Sequence, residues 1–272
     1  MGYSRVSINA QPTISMKTHL LALSALALFS TGIARAESYP FKDVVTRHAT
    51  FESDGQVVLE NVNGDVDLRT WDKNEISIEA EKSAKTEEEL ERIDLQIDLS
   101  ESKAVIRVKL PKRSGGFFGG GTIRAAVRFK VMVPATVAIE RLSVVNATVK
   151  LDGVRGALKA SSVNGRVQAI NLGGSAEIET VNGPIDVSFS TLGAQQNISC
   201  ETVNGPITVR LPADAGVQLE ASVVNGGIKC DFPLELGGDK GRRSLSGKIG
   251  DGRAELDIET VNGSIHIEKQ KT

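Results

Sequence analysis

The chain reads as an all-β solenoid, a stack of coils each built from two strands, and three observations carry that reading. A tetrad of the form Thr-Val-Asn-Gly returns through the second half of the 272 residues. The segments on either side of it alternate apolar and polar residues with the period of a strand. The same residue types also come back in the same phase at each return, which is the signature of stacked repeats.

The tetrad stands at Ser162-Val163-Asn164-Gly165, Thr180-Val181-Asn182-Gly183, Thr202-Val203-Asn204-Gly205, Val223-Val224-Asn225-Gly226 and Thr260-Val261-Asn262-Gly263. A variant occurs at Val145-Asn146-Ala147, where the turn glycine is missing, and an early outlying copy at Val62-Asn63-Gly64. From Asn146 onward the asparagines are spaced by 18, 18, 22, 21 and 37 residues, the last about twice the basic step. With asparagine as position zero, position +3 holds Val149, Val167, Ile185, Ile207, Ile228 and Ile265, and position −4 holds Leu142, Ala160, Ile178, Cys200, Ala221 and Ile258. Position +4 is polar throughout, with Lys150, Gln168, Asp186, Thr208, Lys229 and His266.

The two strands of a coil must turn at Asn-Gly, residue types that tolerate positive φ. A two-residue Asn-Gly loop also announces an antiparallel hairpin. A hairpin, however, gives no reason for the turn to recur every 18 to 22 residues in one phase, so the parallel coil is the better reading. Stacking would place Asn164, Asn182, Asn204 and Asn225 over one another as an amide ladder satisfying buried polar groups. The expected structural turn ladder comprises Asn63, Gly64, Asn146, Asn164, Gly165, Asn182, Gly183, Asn204, Gly205, Asn225, Gly226, Asn262 and Gly263.

Residues 1–36 are expected to be a signal peptide. Lys17 and His19 precede the apolar run Leu20 to Ile33, and Ala34-Arg35-Ala36 has the small-x-small form of a cleavage site. Met16 is the more ordinary start for such a segment, so residues 1–15 read as a start-site artefact. The run is too short for a membrane span, and no second apolar span follows. Residues 37–272 are expected to form a single domain, with a less regular part over 37–141 and repeat coils over 142–272. Loss of Arg5, Lys17 and Arg35 leaves 29 of the 32 basic residues against 34 acidic ones, a net charge near −5 (29 minus 34). That balance argues against a nucleic-acid partner.

Within the less regular part, Leu59 to Leu68 fits the coil template and Glu75 to Ala80 alternates like a strand. Thr86 and Glu89 form a capping box that predicts about two helical turns. Ile93 to Leu99, Ala104 to Leu110 and Ile123 to Val133 read as further strands, the last closed by Pro134. Ser114 to Thr122 is a glycine-rich loop around Phe117-Phe118, which either touches a membrane or partner or folds back over one end of the core. Gly237 to Arg243 is a second such loop, and Ser246-Gly247 marks a degenerate coil within the doubled spacing.

The landmarks Asn63-Gly64-Asp65-Val66, Trp71-Asp72, Val131 to Pro134, the serial Val-Asn-Gly units, Leu211-Pro212, Phe232-Pro233 and Val261-Asn262-Gly263-Ser264-Ile265 occur in a specific order. In that order the chain resembles the bacterial putative-adhesin family of envelope-associated domains. The resemblance implies a right-handed parallel β-helix and an exported protein. It brings no catalytic motif with it.

Catalytic chemistry finds little support in the residues. Position −3 carries Glu60, Glu179, Glu201 and Glu259, and Glu179 is expected about 4.8 Å from Glu201, close enough to share a proton or a Ca²⁺ ion. Ser143, Ser161 and Ser222 hold the same column elsewhere, so a solvated face is the simpler reading. After cleavage only His48 and His266 remain, near opposite ends, which argues against zinc. No nucleophile elbow, phosphate loop or calcium nonapeptide is present, and no metal or cofactor is expected. Cys200 at −4 and Cys230 at +5 are core positions in an oxidising compartment. They read either as a disulfide one rung apart or as two separate thiols, because facing sheets normally stand farther apart than a disulfide spans.

The expected function is that of an exported, non-enzymatic β-solenoid, periplasmic or at the cell surface. It would act as an adhesin-like or envelope-associated interaction module on a protein or glycan, without integral membrane insertion. Two rivals remain: a polysaccharide-active lyase or hydrolase on the same fold, and a structural or stress-responsive envelope protein.

Overall fold

In the computed structural model the described residues are 39–110, 124–235 and 241–270. The expected signal peptide, the Phe117-Phe118 loop and most of the Gly237–Arg243 loop lie outside them. In chain order the elements begin with β1 (Phe41–Thr50), β2 (Gln56–Asn63), β3 (Val66–Trp71), β4 (Glu75–Ala84), α1 (Glu87–Glu91), β5 (Asp94–Leu99), β6 (Lys103–Lys109) and β7 (Ala125–Pro134). There follow β8 (Ala138–Asn146), β9 (Val149–Asp152), β10 (Leu158–Asn164), β11 (Val167–Leu172), β12 (Ala176–Asn182), β13 (Ile185–Phe189), β14 (Asn197–Asn204) and β15 (Ile207–Leu211). The chain closes with β16 (Val217–Asn225), β17 (Ile228–Cys230), β18 (Ser244–Ile249), β19 (Ala254–Asn262) and β20 (Ile265–Lys269).

Strands on the two sides of each Asn-Gly turn enter different sheets. β10 pairs in parallel with β8 and β12, and β11 with β9 and β13. No hairpin forms at the tetrads. Two ten-stranded sheets result, ordered β1-β4-β7-β3-β9-β11-β13-β15-β20-β17 and β18-β16-β19-β14-β12-β10-β8-β2-β6-β5. The fold is therefore all-β and solenoid-like, and Tyr39–Thr272 cluster as one compact unit.

The apolar columns read from the sequence face one another between the sheets. Val149, Val167, Ile185, Ile207 and Ile265 are buried on one side, and Leu142, Ala160, Ile178, Cys200, Ala221 and Ile258 on the other. Burial at this density is what stabilises so thin a core, because each two-strand layer alone has little to cover it.

The order of coils in space is not their order in the chain. β19 lies between β14 and β16, and β20 between β15 and β17. The chain thus passes from the coil of Asn204 to that of Asn225 and leaves a slot that its own last coil fills. The expectation that Asn225 sits directly over Asn204 is corrected accordingly. Ser246-Gly247 does not mark a degenerate coil either: it lies in β18, which runs antiparallel along β16 and closes that end.

The first part of the chain is more regular than expected. β2 and β3 form a full coil inside the stack, in parallel register with β8 and β9 on one side and β6 and β7 on the other. Val62-Asn63-Gly64 is therefore no outlier. α1 is shorter than expected, five residues, with the Thr86 hydroxyl accepting from the Glu89 N–H at 3.2 Å.

Candidate functional site: the stacked outer columns

The corner at which each coil turns carries a continuous amide ladder. Asn146 donates to Asn63, Asn164 to Asn146, Asn182 to Asn164, Asn204 to Asn182, Asn262 to Asn204 and Asn225 to Asn262, each from Nδ2 to Oδ1 at 2.8–2.9 Å. At the ladder's first rung, Asn63 Nδ2 donates to the Ala125 carbonyl at 3.1 Å. The ladder is solvent-facing, which corrects the expectation of buried amides: Asn146, Asn164, Asn182, Asn204, Asn225 and Asn262 are exposed. Its amides all point the same way, so the side chains form one directional hydrogen-bonded row.

The glycines of the ladder serve close approach. The backbone N–H of Gly183 donates to the Asn204 carbonyl at 2.9 Å, and Gly205 to Asn262 at 2.9 Å. A Cβ on Gly183 would stand 1.9 Å from the Gly165 carbonyl oxygen, and one on Gly263 2.0 Å from that of Gly205. None of the ladder asparagines adopts positive φ. Among the ladder glycines Gly64, Gly165 and Gly226 do have positive φ, as expected, whereas at Gly183, Gly205 and Gly263 the requirement is steric room between coils. Ala147 keeps the same bond, its N–H donating to Asn164 at 3.0 Å. The coil beneath it contains Gly64, whose φ is 108° and whose carbonyl accepts from buried Asn61 Nδ2 at 2.8 Å. Asn61 escaped the sequence reading, although it fills the column that elsewhere holds buried Ser162, Thr180, Thr202 and Thr260.

Beside the ladder runs a valine column, in spatial order Val62, Val145, Val163, Val181, Val203, Val261 and Val224. Val145 and Val224 are exposed and the others partly so. On the outer face of the first sheet, Asp67, Lys150, Gln168, Asp186, Thr208, His266 and Lys229 stand in one register. Charges are balanced locally. Arg210 bonds both Asp186 and Glu268, the latter at 3.0 Å; burial works against its positive charge, but the two carboxylates outweigh that and raise its pKa.

The outer face of the second sheet is acidic in one half. Glu179, Glu201 and Glu259 lie in register on β12, β14 and β19, so the column has three successive carboxylates where the sequence suggested an adjacent pair. Ser199 Oγ donates to Glu201 at 3.3 Å. Among the described residues no group of three or more His, Cys, Asp and Glu side chains is arranged to hold a metal ion. No described helix is long and apolar enough to cross a membrane.

Cys200 and Cys230 are free thiols. Insertion of the β19–β20 coil places them two layers apart on opposite sheets, and the disulfide alternative is corrected for that reason. Burial, reinforced by the Glu201 and Asp257 carboxylates, pushes the Cys200 thiol up to about 12. Burial also raises Cys230, partly offset by its contact with the Phe232 carbonyl. Neither is a thiolate nucleophile at neutral pH. Mass spectrometry of the native protein after alkylation at pH 8 is expected to show Cys230 modified well before Cys200. Prior reduction should leave the pattern unchanged; a pair that resists alkylation until reduced would contradict the separation of the two thiols.

A family model described as Toastrack DUF4097 matches residues 131–268, just over half of the chain. The chain belongs to this family. The Toastrack match covers the regular coils from β7 to β20. Among solved structures, the chain is similar to a putative cell adhesion protein from Clostridium sporogenes, 14% identical, with a TM-score of 0.53 over 85% of this chain and 99% of that one. It is also similar to a putative lipid binding protein from Parabacteroides distasonis (13% identical, TM-score 0.34, 84% and 97% covered). A putative adhesin from Bacteroides fragilis is a further neighbour (10% identical, TM-score 0.32, 84% and 98% covered). At such identities the first likeness speaks for the fold alone. No curated protein matches the sequence.

Proposed function

We propose that this Toastrack protein is an exported, non-enzymatic interaction module of the cell envelope, adhesin-like in action. Its partner is a protein or a glycan that lies along the stack. Export rests on the charged, apolar and small-residue pattern of residues 1–36. The coil is taken as right-handed, the hand that dominates parallel strand crossovers.

The observation that carries this reading is the seven-membered amide ladder with its flanking valine column. Like groups are repeated at one strand spacing over the length of the stack, a pattern suited to many shallow contacts with an extended partner. The name of the Clostridium sporogenes neighbour is consistent with such a role. An amide row offers both donors and acceptors to hydroxyls or peptide groups, and the valines beside it supply apolar contact.

The test is recovery of a partner from a solubilised envelope fraction on immobilised protein, followed by binding measurements with variants. Lys150→Ala, Asp186→Ala or Lys229→Ala singly should weaken association by less than about tenfold, since exposed contacts contribute little each. A single such variant that abolished binding with the fold intact would point to a compact pocket. Incubation with polysaccharides and peptidoglycan, with and without Ca²⁺, should give no turnover. Turnover lost in Glu179→Gln or Glu201→Gln would replace the binding module with a carbohydrate-active enzyme.

A further inference from the structure

The two sheets end unevenly. Counting outward from the paired coil β2–β3, the first sheet continues through β7 and β4 to β1, whereas the second stops at β5 after β6. β1 therefore overhangs the core by one strand. Its ten residues pair with β4 in continuous antiparallel register from Phe41 opposite Ala84 to Thr50 opposite Glu75, and no described strand lies on its other edge. Phe41 and Val44 are 40% and 54% exposed there. An edge strand this long, with exposed apolar residues, is a template for another strand.

We propose that β1 is the interface of a two-fold homodimer, pairing antiparallel with β1 of a second copy and with Val45 on the axis. The sequence of the strand selects this occupant. Phe41, Asp43, Val45, Arg47 and Ala49 share the core-side face, because they lie opposite Ala84, Lys82, Ala80, Ile78 and Ile76. With Val45 opposite its own copy, Asp43, which Lys82 Nζ holds at 2.7 Å through one carboxylate oxygen, falls directly opposite Arg47 of the second copy, and the symmetry repeats the pair. Phe41 then covers Ala49 of the second copy, and on the other face Val44 meets Thr46. Charges placed inward on an edge strand normally prevent pairing. Here they admit one register and oppose a slip by one or two residues.

The other edges do not offer the same match. β17 has three residues. β18 already exchanges backbone bonds with Glu235 through Lys248, at 2.9 Å in each direction, which blocks head-to-tail stacking onto that end. A second β5 paired about Gln96 would set Asp94 against Asp98, like against like, and one paired about Ile97 would bring no opposite charges together to fix its register.

Sedimentation velocity of the purified protein should show a dimer at tens of micromolar. Arg47→Asp should raise the dissociation constant by about tenfold or more, because it sets two aspartates opposite each other twice. The double variant D43R/R47D should recover part of the dimer lost in R47D: the pair between copies is reversed and still complementary, although Lys82, whose Nζ holds Asp43 at 2.7 Å, loses its partner within each copy. Cysteine cross-linking gives a second readout that does not depend on the charges. Under mild oxidation Val45→Cys should yield a covalent dimer quickly, whereas Val44→Cys, displaced from its own copy, should not. A monomeric wild-type protein, an undiminished dimer in R47D, or equal cross-linking at the two positions would each overturn the proposal. If D43R/R47D does not fold by circular dichroism, the cysteine pair decides. Recovery of a different protein's strand on β1 in place of a second copy would also reject it.

Discussion

Removal of residues 253–272 is expected to abolish the cooperative fold. In a solenoid whose coils stack in chain order, loss of the last coil trims an end and leaves the remaining interfaces intact. Here the last coil is internal. β19 and β20 separate β14 and β15 from β16 and β17, and their inward side chains Ala254, Leu256, Ile258, Ile265 and Ile267 are all buried. Deletion would open a slot the width of one layer. Collapse of β16 onto β14 is resisted by the short Pro212–Gly216 connection, in which the Ala215 N–H donates to the Pro212 carbonyl at 3.1 Å. Truncation of one large buried side chain costs about 2 to 5 kcal/mol, so the loss of the four large ones together, about 8 to 20 kcal/mol, is as large as the usual stability of a domain, about 5 to 15 kcal/mol. Urea titration followed by circular dichroism checks this. A truncated chain with a sharp transition near the wild-type midpoint would show that the coils stack in chain order after all.

Gly263→Ala is expected to cost about 3 kcal/mol, the upper end of ordinary overpacking penalties. The added Cβ would lie 2.0 Å from the Gly205 carbonyl oxygen. Relief by lifting the coil is denied, because the Gly263 N–H is held by the Asn225 carbonyl at 3.1 Å from the other side, and a Cβ on Gly226 would itself stand 1.6 Å from the Gly263 oxygen. Ala147 in the wild-type chain shows that the position tolerates a methyl group where the neighbouring glycine carbonyl is bound by Asn61. The matching experiment is Ala147→Gly, which should change stability by less than about 1 kcal/mol, the usual cost of glycine relative to alanine. Comparison of the two urea midpoints distinguishes close approach from turn conformation as the reason for glycine; equal midpoints would eliminate the steric account.

The stacking register was legible in the sequence because the tetrad fixes the phase of both strands around it. Asn182 over Asn164 and under Asn204 follows from that phase, as do the buried columns at +3 and −4. The three carboxylates in register were only half legible: Glu179 and Glu201 are neighbours in chain order, but Glu259 joins them through the inserted coil. The valine column was visible as letters, yet its exposure depends on the corner geometry, where the ladder asparagine and the valine before it both point outward.

The sequence by itself determined that this protein is a stack of two-strand coils, which face of each strand is buried, and where each coil turns, because those properties depend on local alternation and on a short repeated turn. Only the tertiary structure decided the order of the coils, the separation of Cys200 from Cys230, the antiparallel β18 at one end and the overhanging β1 at the other. The physical reason is that the coils are near-equivalent in register, width and apolar content, so each can stack on any other with similar local contacts. Their order is set by connection lengths and by contacts between residues far apart in the chain, which repeat letters do not distinguish.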